Sequence, residues 1–253
     1  MSILAYHMVD PRFSWGVTRV TPRQFARHIK FLIDHHFAIQ TISDYLTSPG
    51  TDNRRVAITF DDGYESVYTY VLPVLQKYCV PASVFVNPAY VGQFNTWDVN
   101  IGRRFRHMNW SQIAELRANG WEIGSHGMQH RDLTRLSAPA IERELALSSA
   151  LLEKKIGFCS SVFSYPFGNT NNVVIDVVRK LNYKYGLSMG MFNKNLSLQY
   201  AINRTGIYLF DHLYFFRFKV YGQLRFLFRL MQQVMDRCSD VTVLCRFNKW
   251  TVD

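Results

Sequence analysis

A chain of 253 residues with 48% hydrophobic and 15% aromatic content carries ample material for one large core, and 19% charged residues is too few for a disordered polymer. The net charge of +10 favours anionic partners, yet no run of five Lys/Arg residues occurs, so a nucleic-acid-binding chain is not expected. The four cysteines (Cys79, Cys159, Cys238, Cys245) form no Cys-x-x-Cys pair, which argues against a zinc ribbon or a disulfide framework and for reduced thiols, with Cys79 and Cys159 as small core residues.

Residues 2–7 read as a strand, with no basic region or long apolar run of a signal peptide around them. Thr21 is an N-cap and Pro22 the first position of a helix over 22–36, with Phe25, Ile29 and Leu32 on one face. A buried strand over 55–60 ends at Asp61-Asp62-Gly63. A helix over 64–78 follows, with Pro73 as a kink, then a strand over 82–87. The pattern continues with a helix over 110–119 stopped by Gly120, a strand over 121–124 leading into Ser125-His126, and a helix over 137–156 closed by Gly157. A strand over 161–165 precedes Pro166-Phe167-Gly168, and helix 171–181, strand 184–188 and strand 201–209 complete the alternation.

Such alternation predicts a parallel sheet with helices outside, in one domain over residues 1–210. In a barrel of βα units the site lies at the C-terminal ends of the strands, where the chemistry-bearing residues here fall. Residues 211–253 read as a separate extension. Its segment 212–237 mixes bulky apolar residues with Arg217, Lys219, Arg225 and Arg229, as a basic amphipathic helix does, either packed on the barrel or lying on an anionic membrane surface. No uncharged apolar stretch reaches eighteen residues, so no spanning helix is expected and a cytoplasmic location is the simplest reading.

Two adjacent carboxylates behind a buried strand are costly without a task, and neighbouring side chains at a strand end can diverge, one to a metal and one to substrate. Gly63 permits the tight turn. In Ser125-His126-Gly127-Met128-Gln129-His130, two histidines four apart can converge on one ion. With Asp62 they give two imidazoles and one carboxylate, a set suited to Zn²⁺, with Co²⁺ or Ni²⁺ as alternatives. Ser164-Tyr165-Pro166-Phe167-Gly168 reads as a loop able to wall a groove.

Thr59-Phe60-Asp61-Asp62-Gly63, His126-x-x-x-His130 and Tyr165-Pro166-Phe167-Gly168, in this order and spacing, resemble the NodB-homology polysaccharide deacetylases, carbohydrate esterase family 4, over roughly residues 1–210. The Tyr-Pro-Phe-Gly form is similar to the exopolysaccharide deacetylase subgroup. The resemblance implies a distorted (β/α) barrel of about seven units that hydrolyses the N-acetyl amide of an amino sugar in a polysaccharide or lipid-linked glycan. It implies Asp61 as general base, Asp62, His126 and His130 as metal ligands, and Tyr165, Pro166, Phe167 and Gly168 as substrate-binding loop.

There are departures. Gly127 stands where the family has Ser or Thr, and Ser164 where many members have an arginine that orients the base. The usual late general-acid histidine is matched imperfectly by His212. His7 is the preferred alternative, since the subgroup resembles a circular permutation in which a Tyr-His element ends the first strand. A metal-dependent amidase acting on other amides, and a non-catalytic carbohydrate-binding protein on the same scaffold, are the competing functions.

Overall fold

A computed structural model describes residues 2–12, 17–48, 54–97, 104–189 and 197–222. The first part runs β1 (Ser2–Tyr6), β2 (Met8–Val9), β3 (Arg19–Val20), α1 (Pro22–Asp34), β4 (Ala38–Gln40), α2 (Ile42–Thr47), β5 (Arg55–Phe60) and α3 (Leu72–Lys77). It continues β6 (Ser83–Val86), α4 (Trp110–Ala118), β7 (Glu122–Ser125), α5 (Ala138–Ile156), β8 (Val162–Ser164), α6 (Asn172–Lys180), β9 (Tyr185–Ser188), β10 (Ile202–Asn203), β11 (Thr205–Gly206) and α7 (Leu213–Tyr221).

The main sheet runs β10-β9-β8-β7-β6-β5-β1-β11, parallel at every step, with β4 alongside the first half of β5. The two outermost strands are consecutive in the chain, separated by Arg204 alone, and one pairs with β9 while the other pairs with β1. One interrupted run therefore closes a parallel barrel with seven strand positions. The first strand lies beside the last through Leu4↔Thr205 and Ala5↔Gly206, so His7 enters the same ring of strand ends as the late residues. From Val56 to Phe60 every residue of β5 is buried, as parallel strands covered on both faces require.

Local signals act as expected at most helix ends. Thr21 caps α1 by accepting from the Gln24 N–H at 3.2 Å, and Phe25, Ile29 and Leu32 are fully buried against the sheet. Gly157 closes α5 in the left-handed conformation. The helix expected over 64–78 runs without a break from 65 to 77, with a π-bulge over Val67–Val71 directly ahead of Pro73: the Leu72 N–H bonds the Val67 carbonyl, five residues back, and the turn continues as α3. The strand expected over 201–209 breaks at Arg204. The short β2, β3, β4 and α2 lay below what the hydrophobic pattern revealed. Cys79 is exposed at a positive φ of 53° and is no core residue, whereas Cys159 is partly buried against the core.

Of the expected helix over 212–237, residues 213–221 form α7, and 223–237 lie outside the described residues, as do Cys238 and Cys245. This helix lies on α1 and β1. Phe216 stacks face to face on the buried His28 ring, 3.9 Å between centroids, and Ser2 Oγ donates to the Val220 carbonyl at 2.6 Å. Lys219, read from the sequence as part of a solvated basic face, turns inward to Asp211 at 2.6 Å. Among the described residues no helix is long and apolar enough to cross a membrane.

Candidate active site

The ends of β5, β7 and β8 and the break between β10 and β11 converge on two carboxylates with different surroundings. Asp61 and Asp62 follow β5 directly, and the backbone turns sharply there, with φ of +71° at Asp62 and +69° at Gly63. A Cβ at Gly63 would lie 2.7 Å from Val86 Cγ1, so only glycine fits the turn. A two-stranded ribbon braces it: His107 Nδ1 donates to the Asp62 carbonyl at 2.8 Å, and the Met108 N–H to that of Gly63 at 2.9 Å. This turn sends the two aspartate side chains to different partners.

Asp62 meets the histidines. His126 Nε2 lies 3.5 Å and His130 Nε2 3.3 Å from the same Asp62 Oδ1. His126 Nδ1 donates to the Ser164 carbonyl at 2.8 Å, which fixes the tautomer and leaves the Nε2 lone pair facing Asp62. His130 is held between aromatic rings, stacked on Trp97 at 4.8 Å and edge-on to Phe167 at 4.5 Å. The loop between the histidines passes through positive φ at Gly127 (+78°) and His130 (+52°), which gives a physical reason for glycine at 127. Burial lowers the pKa of His126 to about 4 and holds His130 well below the usual imidazole range, so both imidazoles are neutral near pH 7.

One ligand atom from each of Asp62, His126 and His130 lies within 4.8 Å of the others. All three residues are buried, and their donor set of two neutral imidazoles and one carboxylate fits a divalent metal.

Asp61 meets an arginine. Arg204 Nη2 lies 2.6 Å from Oδ2 and Nη1 2.9 Å from Oδ1. Ser164 Oγ adds a donor to Oδ1 at 3.1 Å, while the guanidinium also reaches Thr59 Oγ1 at 3.1 Å and Ser164 Oγ at 2.9 Å. Burial alone would raise the Asp61 pKa; the Arg204 charge, helped by His126 and His7, overrides it and holds the carboxyl well below the usual range. Asp61 is thus buried yet ionised near neutral pH.

His7 acts electrostatically on Asp61, His126 and His130 alike. His212 is exposed at the start of α7, and its charge is felt by His28 rather than by these three residues. In the loop after β8, Phe167 is partly exposed against His130, while Pro166 and Gly168 are buried. Tyr165, read as a groove wall, is instead a core residue: it is fully buried against Phe163 and donates to the Tyr200 carbonyl at 2.8 Å. The sequence reading missed Arg204, Trp97 and His107. The signal for Arg204 was a charged side chain inside a run taken as a buried strand; for the other two no local pattern exists.

A parallel barrel with a carboxylate-histidine cluster and a second ionised carboxylate at its strand ends defines the class: a barrel with a candidate metal site at its mouth. Residues 48–186, just over half the chain, match the polysaccharide deacetylase family model, and the chain belongs to that family. It is 28% identical over 213 residues to YxkH of Bacillus subtilis, covering 82% of this chain and 71% of that protein. It is 27% identical over 182 residues to a poly-beta-1,6-N-acetyl-D-glucosamine N-deacetylase of Staphylococcus aureus, covering 67% of this chain and 61% of that one. The chain therefore spans less than two thirds of the staphylococcal relative. Among solved structures, the fold matches the Streptococcus pyogenes deacetylase PplD with a TM-score of 0.73 at 19% identity, covering 87% of this chain and 97% of that one. IcaB from Ammonifex degensii matches with a TM-score of 0.64 at 24% identity, covering 74% and 83%.

Proposed function

We propose that this protein is a metal-dependent N-deacetylase that hydrolyses the N-acetyl amide of an amino sugar in a polysaccharide or lipid-linked glycan, releasing acetate and a free amine. One observation carries the reading: a buried Asp61, gripped at both oxygens by Arg204, sits directly beside the Asp62–His126–His130 cluster. Family membership and the staphylococcal relative's named substrate support an N-acetylhexosamine polymer.

Asp62, His126 and His130 would hold the metal, with Zn²⁺ the best match to the donor set. When bound, such an ion polarises the acyl carbonyl and makes water a stronger acid. Asp61 accepts the proton of the attacking water as general base. His7 gives a proton to the departing amine. Phe167, partly exposed and edge-on to His130, forms an apolar flank for the acetyl group and sugar, with the buried Trp97 stacked behind the His130 ring. The acyl carbon, its amide bond broken, leaves as acetate.

The proposal extends to an anionic membrane surface as the place of work. Phe210, Leu213, Tyr214 and Phe215 are exposed just after β11, at the end of the barrel that carries the site, in a chain of net charge +10. Tyr214→Ser/Phe215→Ser should weaken sedimentation with phosphatidylglycerol vesicles and leave soluble-substrate turnover unchanged; equal sedimentation removes this extension.

Acetate release from N-acetylglucosamine oligomers, by zinc-loaded and metal-stripped protein side by side, tests the main reading. Release by the loaded protein alone is expected. Equal release by both, or release only from non-sugar amides, overturns it.

A further inference from the structure

We propose that Arg204, delivered by the break between β10 and β11, is the positioning residue of the general base, fixing both oxygens of Asp61 for proton transfer. The inference rests on the deacetylase reading and deepens it. Its guanidinium is fully buried, and a buried cation is costly unless it is paired with a counter-charge in good geometry. Here the pairing is good: both Asp61 oxygens are engaged by the two terminal nitrogens, at 2.9 and 2.6 Å. Two hydroxyls add to the cradle of the terminal nitrogens, Thr59 Oγ1 at 3.1 Å and Ser164 Oγ at 2.9 Å, while Nε makes no hydrogen bond among the described residues. A two-point grip leaves the carboxylate little freedom to rotate, which a single-point ammonium cannot achieve.

The backbone is arranged for this delivery. A continuous strand over 201–209 would keep an even ladder, yet pairing passes from β9 to β1 across this one residue, while the Arg204 N–H holds to the Ser188 carbonyl at 3.1 Å. The side chain crosses the barrel interior to a residue 143 positions earlier. Ser164, where the family motif often carries its arginine, is small enough to leave that space open. Its hydroxyl touches the guanidinium and Asp61 at once, so positions 164 and 204 address the same carboxylate from two sides.

The test compares wild type, R204M, R204K and the exchange S164R/R204S. R204M should lower kcat on N-acetylglucosamine oligomers roughly 100-fold, the scale of a misplaced reacting group, with KM within about twofold and zinc stoichiometry unchanged. R204K keeps the buried charge, so it should fold, yet it should recover little of kcat. S164R/R204S should regain at least about tenfold over R204M, because a guanidinium returns to the same carboxylate. A readout free of turnover accompanies these: in metal-stripped protein, urea unfolding of R204M, D61N and the double variant should be non-additive. R204M or R204K with wild-type kcat, or additive unfolding, would overturn the inference. A zinc-loaded wild type that releases no acetate would instead sink the deacetylase reading beneath it.

Discussion

Two carboxylates one residue apart live in opposite electrostatic worlds. Asp62 faces two buried imidazoles that burial keeps neutral, a donor set that fits a divalent cation. Asp61 faces a guanidinium that has already balanced its charge. A metal ligand needs the first environment, whereas a group that must stay ionised and oriented through a reaction needs the second. Successive side chains at a strand end leave on opposite sides, and the positive-φ turn at Asp62 and Gly63 sets where each of the two points.

Breaking the metal half should give the largest effect. His126→Ala should lower zinc affinity by more than ~100-fold, beyond the usual loss from removing a mere hydrogen-bond partner of a ligand, as read by competition with a chromogenic chelator. Gly63→Ala attacks the separation itself. Its Cβ would press on Val86 in a backbone region disfavoured for alanine, and the expected cost is about 2–4 kcal/mol in urea unfolding, with zinc affinity reduced as well.

A buried imidazole outside both halves supplies the pH dependence. Burial lowers His28 to about 4, against about 6.5 in an unfolded chain. Between those values the unfolded chain binds the extra proton, so stability should fall as pH drops from about 6.5 to about 4, by on the order of 3 kcal/mol from this residue. His28→Gln should flatten part of that slope, with further parts from His107 and His126, which burial also lowers to about 4, and from His130, which burial lowers as well.

The smallest expected effect sharpens the outline of the groove. Tyr165→Phe removes one buried hydrogen bond and should cost about 1 kcal/mol of stability with turnover nearly unchanged, whereas Phe167→Ala should raise KM.

The Asp62–His126–His130 cluster was legible in the sequence because its parts are local. Asp62 follows a strongly apolar strand, and the two histidines lie within five residues of the end of another. Helix limits set by Thr21, Gly157 and Pro22 were legible for the same reason. The base half was not. Its arginine is 143 residues from its partner, inside a segment whose pattern suggested an unbroken strand, and only closure of the barrel brings them together. Tyr165 shows the reverse error: an aromatic in a motif loop invites a substrate role, but the residue directly after β8 buries its side chain in the core. Alternation along a strand sets which side a residue faces, and a three-residue strand gives too little pattern to read it.

The division of labour between the two aspartates is most directly tested by measuring bound zinc and acetate release in the same samples of wild type, D61N and D62A. The account expects D61N to keep zinc near the wild-type level while losing acetate release by roughly 100-fold or more, and D62A to lose both. Loss of zinc from D61N, or full acetate release by D62A, would contradict it.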